Sequence, residues 1–238
     1  MRRACCSAIL TIVIDGTLVT DRSAPLLCLA SASPRRSDLL RQIGVPHCIQ
    51  PADLDESARP DEAPGDYVLR LAREKAMAVR AARAADGAAA LPVLGADTTV
   101  AIDGLVLGKP QDAAALAAML ARLSGREHEV FSAVALLLPD DGAVAAPPAA
   151  TALSRTRVRF RSITPAEAAA YWASGEPQDK AGGYAIQGLG AVFVESIAGS
   201  FSGVVGLPLA ETAALLQAAG LPAGPSGAAA GASAGVMA

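Results

Sequence analysis

The chain has 238 residues, 52% of them hydrophobic and 3% aromatic, with a formal net charge of −3. That length suits one large domain or two small lobes, and alanine supplies much of the apolar content. The negative balance argues against broad electrostatic binding to nucleic acid or an acidic membrane surface, so a phosphate ligand would need a local cluster of cations. No apolar run reaches the roughly 18–20 residues of a membrane span. Arg2 and Arg3 before an apolar stretch faintly resemble a signal peptide, but Asp15 interrupts it and no cleavage site follows. Residues 1–24 therefore read as a poorly specified extension. Cysteines 5, 6, 28 and 48 make no CxxC pair and no metal-type spacing with histidine, which favours reduced thiols in a cytoplasmic protein.

In chain order, Leu26–Ala30 reads as a strand leading into Ser31-Ala32-Ser33-Pro34-Arg35-Arg36. Pro34 suits the first turn of a helix running to Ile43, with Ser33 as N-cap. The unpaired N–H groups of that turn, the helix dipole and two arginines converge on one point, as a phosphate pocket requires. The plainer reading is a capped helix with exposed arginines. Asp53, Asp55 and Glu56 form an acidic stretch. A helix from Asp66 to about Ala84 carries Val68, Leu71, Ala72 and Val79 as an apolar stripe, and Lys75 falls in its centre. Lys75 either snorkels or reaches into a site lined by anions.

Val93–Ala96 reads as a short strand with Asp97 at its end. Thr99–Ile102 and Leu105–Leu107 read as a hairpin turned by Asp103-Gly104. Lys109-Pro110 leads to a helix from Asp112 to Leu123, closed by Gly125. Val130–Leu138 is a strand, and Asp140-Asp141-Gly142 opens an Ala/Pro-rich loop. Ala152–Arg161 alternates as a strand, and Thr164–Glu167 has the capping-box form that starts a helix through Ala173. Ala191–Ile197 reads as a strand and Pro208–Ala219 as the closing helix. From Pro222 the composition turns Gly/Ala/Ser/Pro-rich and predicts disorder. Strands mixed with helices in this order indicate an α/β fold.

The polar residues fall into clusters: Ser31, Ser33, Arg35 and Arg36; Asp53, Asp55, Glu56 with Lys75; Asp97-Thr98 with Lys109; and the run Asp179–Gly188, which contains Lys180 and Gln187. Carboxylates at strand ends near several cations suit metal-assisted phosphate chemistry. Each has a plainer reading: Asp97 as a turn cap, Asp55 and Glu56 as a solvated loop, Lys109 as an exposed turn residue, Gln187 as a surface amide. His47 and His128 lack partners with ligand spacing and read as structural. There is no Walker motif and no G-x-G-x-x-G after a strand.

The segments LASASPRRSDLL (29–40), DLDES (53–57), YVLRLAREKA (67–76), LGADTTVAIDGLVLGKP (94–110), LSGREHEV (123–130), DKAGGYAIQG (179–188) and VVGLPL (204–209) occur in order. Together they resemble the Maf family of nucleoside triphosphate pyrophosphatases over about residues 26–220. The resemblance implies a Maf/ITPase-like fold: a mixed twisted sheet flanked by helices, in two lobes with a central cleft, within a domain spanning residues 25–221. It implies hydrolysis of a nucleoside triphosphate between the α- and β-phosphates with a divalent cation, Mg²⁺ or Mn²⁺. Asp97 would be the central catalytic acid, and Glu56 would join it in holding metal and water. Lys75 and Lys109 would act with Arg36 on the triphosphate, and Ser33 would lend hydrogen bonds. Arg35, Thr98 and Gln187 resemble the dTTP/UTP branch, whereas the 7-methyl-GTP branch has an aromatic at the position of Arg35. A glutamine amide can pair with the uracil or thymine edge. The resemblance also suggests a homodimer that clears noncanonical nucleotides, with a 7-methyl-GTP pyrophosphatase of the same family and a non-catalytic nucleotide-binding regulator of septum formation as the rivals. One departure stands out: Gly203 occupies the place of the family's usual Asn, with a modest effect expected on substrate positioning.

Overall fold

A computed structural model describes residues 11–14, 17–20, 24–139 and 149–225. The expected loop from Asp140 and most of the Gly/Ala-rich tail lie outside these. Strands β1 (Thr11–Ile14) and β2 (Thr17–Thr20) pair antiparallel as a separate two-stranded sheet, with Thr11 opposite Thr20. Both strands fall within the stretch expected to be a poorly specified extension, and β-branched residues in each are their local signal.

The main sheet begins with β3 (Leu27–Ala30), buried throughout. Helix α1 (Pro34–Gln42) follows, and β4 (His47–Ile49) returns parallel to β3. At three residues, β4 is too short to show an alternating pattern in the sequence. Cys28 and Cys48 lie opposite each other on this pair and are both free thiols. Helix α2 (Pro64–Ala85) crosses over to β5 (Val93–Ile102), parallel to β3 on its other side. The turn at Asp103 and Gly104, both at positive φ, returns β6 (Leu105–Leu107) against β5 as expected.

Helix α3 (Ala113–Leu123) is capped by Asp112, whose carboxylate accepts from Ala115 N at 2.7 Å. Strands β7 (Glu127–Leu137) and β8 (Ala150–Phe160) add antiparallel to the sheet. Helix α4 (Pro165–Ala173) starts with the full Thr164/Glu167 capping box. Strand β9 (Val194–Ala198) closes the order β4-β3-β5-β7-β8-β9, with β6 on β5, and helices α5 (Phe201–Val205) and α6 (Leu209–Ala218) follow. The seven-stranded sheet is mixed, open and flanked by helices, the α/β class expected.

Two expectations need correction. Asp97 does not end a strand. Strand β5 runs on to Ile102 because β7 pairs with it continuously from Val93 to Ala101. What ends near Asp97 is the parallel partner, since β3 stops at Ala30 opposite Gly95. The strand expected from Ala191 begins only at Val194. A 3-10 turn over Leu189–Phe193 replaces its start, held where Leu189 N and Gly190 N donate to the Glu176 carboxylate at 2.8 and 2.9 Å.

Side chains alternate across β5. On one face Leu94 and Ala96 join an apolar core with α1, α6 and Leu207, while Val100 and Ile102 join a second core with α3, α4 and Phe160. On that face Thr98 separates the two, while Asp97 and Thr99 point to the other. The other face receives α2, and there Gly95 permits the approach: a Cβ at that position would overlap the Ala72 carbonyl oxygen. Among the described residues no helix is long and apolar enough to cross a membrane.

Candidate active site

Because β3 ends opposite Gly95, the chain leaves it beside Asp97 and turns through Ser31–Ser33 into α1. Such a position at the carboxyl end of adjoining parallel strands is where open α/β sheets place ligands. Ser33 has the extended backbone of an N-cap, but its side chain makes no capping bond. Its N–H donates instead to Ser31 Oγ at 3.2 Å. Arg36 is fixed at three points. Its Nε donates to the Gly206 carbonyl (2.8 Å), Nη1 to Ser31 Oγ (3.1 Å) and Nη2 to Thr98 Oγ1 (3.4 Å). Burial lowers its pKa, against the opposing pull of the Asp97 charge. Arg35 is half-buried; burial lowers its pKa too, and Asp179 counters this.

The stripe of α2 brings Lys75 down onto β5. Its Nζ lies 2.7 Å from Asp97 Oδ1 and 2.7 Å from Glu56 Oε1. Of the two sequence readings of Lys75, this geometry selects the one that reaches into an anionic site. The two carboxylates differ in environment. Burial pushes Asp97 above the usual carboxylate range, although Lys75 and Arg36 pull the other way. Burial also works against ionised Glu56, but the Lys75 hydrogen bond with the charges of Lys75, Lys109 and Arg36 outweighs it and holds Glu56 below its ordinary value.

The loop carrying Glu56 is strapped to α2. Tyr67 Oη donates to the Glu56 carbonyl at 2.9 Å. Arg70 donates to Glu62 at 2.6 Å and to the Ser57 carbonyl at 3.1 Å. Asp55 accepts from Ser57 N at 2.9 Å within its own turn, and Asp53 is exposed. Of the acidic stretch, Glu56 alone meets Lys75 among the described ion pairs.

These groups line a cleft of about 830 Å³. Ser33, Arg35, Arg36, Glu56, Lys75, Asp97 and Thr98 all line it. Lys109 and Gln187, both exposed, complete the lining, so every residue expected to act on a nucleotide reaches this one cleft. The Asp179–Gly188 segment is drawn in where Gly182 N donates to the Gly108 carbonyl at 2.9 Å. Ser31, Asp179 and Lys180, from the polar clusters of the sequence but without an expected role, also line the cleft, as does Tyr67, which no cluster included. Tyr67 carries a sequence signal: it lies eight residues before Lys75, on the same helical face. The cleft gathers Arg35, Arg36, Lys75, Lys109 and Lys180 against Glu56, Asp97 and Asp179. This local cationic excess, in a chain of net charge −3, suits a polyanion.

No cluster of three or more His, Cys, Asp or Glu suited to a metal occurs among the described residues. The two carboxylates that share Lys75 are hard oxygen donors. They fit a cation such as Mg²⁺, which takes one or two carboxylates and fills its shell with phosphate oxygens and water.

The histidines sit elsewhere. His47 bonds Ser37 Oγ at 2.7 Å and the Val45 carbonyl at 2.8 Å. His128 bonds Tyr184 Oη at 2.8 Å, and burial pushes its pKa down to about 4. Gly203 lies buried in α5, where its N–H donates to Ser200 Oγ at 3.0 Å, and an added Cβ would sit 3.2 Å from that side chain.

Residues 26–219 match the family model described as Maf-like protein. A dTTP/UTP pyrophosphatase of Nitrosomonas europaea is 50% identical over 201 residues, 81% of this chain and 94% of that protein. One of Bordetella parapertussis is 52% identical over 215 residues, 87% of this chain and 98% of that protein. One of Methylobacillus flagellatus is 51% identical over 193 residues, 81% of this chain and 92% of that protein. With this match spanning both the Arg36 turn and the Lys75–Asp97–Glu56 cluster, the chain belongs to the Maf-like protein family.

Proposed function

We propose that the protein is a nucleoside triphosphate pyrophosphatase that hydrolyses dTTP and UTP, and modified pyrimidine nucleotides, to the monophosphate and pyrophosphate. The observation that carries this is Lys75 set 2.7 Å from both Asp97 and Glu56 in a cationic cleft. The relatives' names supply the nucleotides. Arg36, Lys109 and Lys180 hold the triphosphate chain by charge, and Ser33 adds a hydroxyl. Asp97 is the general base: its raised proton affinity suits it to take a proton from the attacking water. Lys75 keeps that carboxylate aimed and offers positive charge to the phosphate as the α–β anhydride breaks. Asp97 and Glu56 would hold Mg²⁺ or Mn²⁺, which when bound neutralises phosphate charge and acidifies water. Gln187 and Arg35 read the pyrimidine from the rim, with Thr98 acting beneath Arg36.

The enzyme works in the cytoplasm as a homodimer and removes noncanonical nucleotides from the pool. The test is pyrophosphate release with Mg²⁺ from dTTP, UTP, CTP, GTP and 7-methyl-GTP, beside Asp97→Asn. Strong turnover of dTTP and UTP that the substitution abolishes is expected. Turnover of 7-methyl-GTP in preference would overturn the base assignment, and binding without turnover would overturn the enzyme.

A further inference from the structure

Ser132 stands behind the cleft and does not line it. It lies on β7 directly across from Thr98 on β5, and it is 1% exposed. Its Oγ donates to the Gly203 carbonyl at 2.6 Å. A serine hydroxyl has one proton, so toward Thr98 Oγ1, 2.9 Å away, Ser132 accepts. Thr98 Oγ1 has two acceptors, Ser132 Oγ at 2.9 Å and the Gly206 carbonyl at 3.3 Å; its one proton favours the nearer Ser132, and its oxygen accepts from Arg36 Nη2. The bonds all run one way, from a guanidinium through two hydroxyls to a carbonyl. Bonds aligned like this polarise one another, and a cation at the head strengthens the effect.

We propose that Ser132 is a positioning residue for pyrophosphate release: through Thr98 and the Gly203–Gly206 turn it fixes the plane of the Arg36 guanidinium against the triphosphate. The inference rests on the phosphate-binding role proposed for Arg36. Each nitrogen of Arg36 gives one proton to the protein, through Gly206, Ser31 and Thr98. A guanidinium has five N–H groups, so the others stay available to phosphate oxygens. Removing the Ser132 oxygen leaves the Gly206 carbonyl, already within reach at 3.3 Å, as the remaining acceptor for the Thr98 proton. There it competes with Arg36 Nε for one acceptor. The α5 turn loses its tie to β7 at the same time. Asp97 points to the opposite face of β5 and keeps Lys75. The loss therefore falls on holding the phosphate chain rather than on the chemical step.

The experiment compares Ser132→Ala, Ser132→Thr and Arg36→Lys, alone and with Ser132→Ala combined with Arg36→Lys. It measures kcat and KM for dTTP, and Kd for inorganic triphosphate by calorimetry. Ser132→Ala is expected to raise KM and Kd about tenfold, with kcat within about threefold of the parent. Ser132→Thr restores the parent values. In the Arg36→Lys background Ser132→Ala adds less than about twofold. Parallel loss of kcat and Tm with KM and Kd unmoved, or a full additive effect on top of Arg36→Lys, would overturn the proposal. If Ser132→Ala does not fold, Thr98→Val breaks the same chain at its middle link and, since it also removes the Arg36 Nη2 acceptor, must raise KM at least as far. The calorimetric comparison keeps its meaning even if the parent protein releases no pyrophosphate, so the two readings fail separately.

Discussion

Asp97 and Glu56 share one ammonium, yet their environments drive their proton affinities apart. Burial raises Asp97, while the Lys75 hydrogen bond and three nearby cations outweigh burial at Glu56 and lower it. Such separation suits two carboxylates in one site to different roles. As pH falls Asp97 takes up its proton before Glu56, so if Asp97 is the base proposed above, the acidic limb of kcat/KM reports it. Lys75 is among the groups that hold Asp97 down, and Lys75→Met is expected to move that limb to higher pH in a pH–rate profile. An unmoved limb would assign it to another group. The same shift has a consequence for stability. An acid whose folded-state pKa is raised contributes stability at low pH that is lost as pH rises through the folded pKa. Once ionised, Asp97 is therefore a cost to the fold. Asp97→Asn can still accept from Lys75, so its Tm at pH 7 is expected to be no lower than the parent's, while turnover falls by about 10³ or more. A markedly lower Tm would show that the ionised carboxylate stabilises the fold.

Helix α2 shows how an element carries the site, and how far its sequence discloses that. Its 22 residues give several turns of stripe, so helical spacing alone makes a lysine among Val68, Leu71, Ala72 and Val79 conspicuous. The partners of that lysine are less legible. Asp97 is recognisable as a candidate, but its setting inside a continuous strand depends on β7, which lies some thirty residues further along the chain. The late turn at Leu189 depends likewise on Glu176, a contact between segments. The role of Gly95 is invisible locally, because it concerns distance between elements. A Cβ added there would overlap the Ala72 carbonyl oxygen and lie 2.9 Å from Ala76 N, so backbone and not a flexible side chain blocks any larger residue. Gly95→Ala must push α2 off β5. A cost of about 3 kcal/mol or more is expected, read as a Tm lowered by roughly 6–12 °C. Lys75 would move with the helix, so kcat should fall in the folded fraction as well. Normal kcat with lowered Tm would mean that the site tolerates the displacement.

At the scale of the molecule, the cleft lies where the two apolar cores meet along β5, and the core containing α1 and α6 is closed by the chain beyond α6. Ala223 is fully buried in that core, and Gly224 N donates to the Ile43 carbonyl at 2.9 Å. Ile43 is the C-cap of α1, the helix whose first turn presents Arg35 and Arg36. The composition change at Pro222 marks the end of regular patterning, but two small residues give no periodic signal that they pack. Chains ending after Pro225 and after Leu221 differ by these contacts. One buried small side chain and one backbone hydrogen bond together contribute about 2 kcal/mol, so the shorter chain should melt about 5 °C lower. Arg36 is anchored separately, through Gly206, Ser31 and Thr98. KM and kcat of the two chains should therefore agree at a temperature where both are folded. A raised KM in the shorter chain would show that the far end of α1 is coupled to the phosphate turn, and that the local anchors do not hold Arg36 on their own.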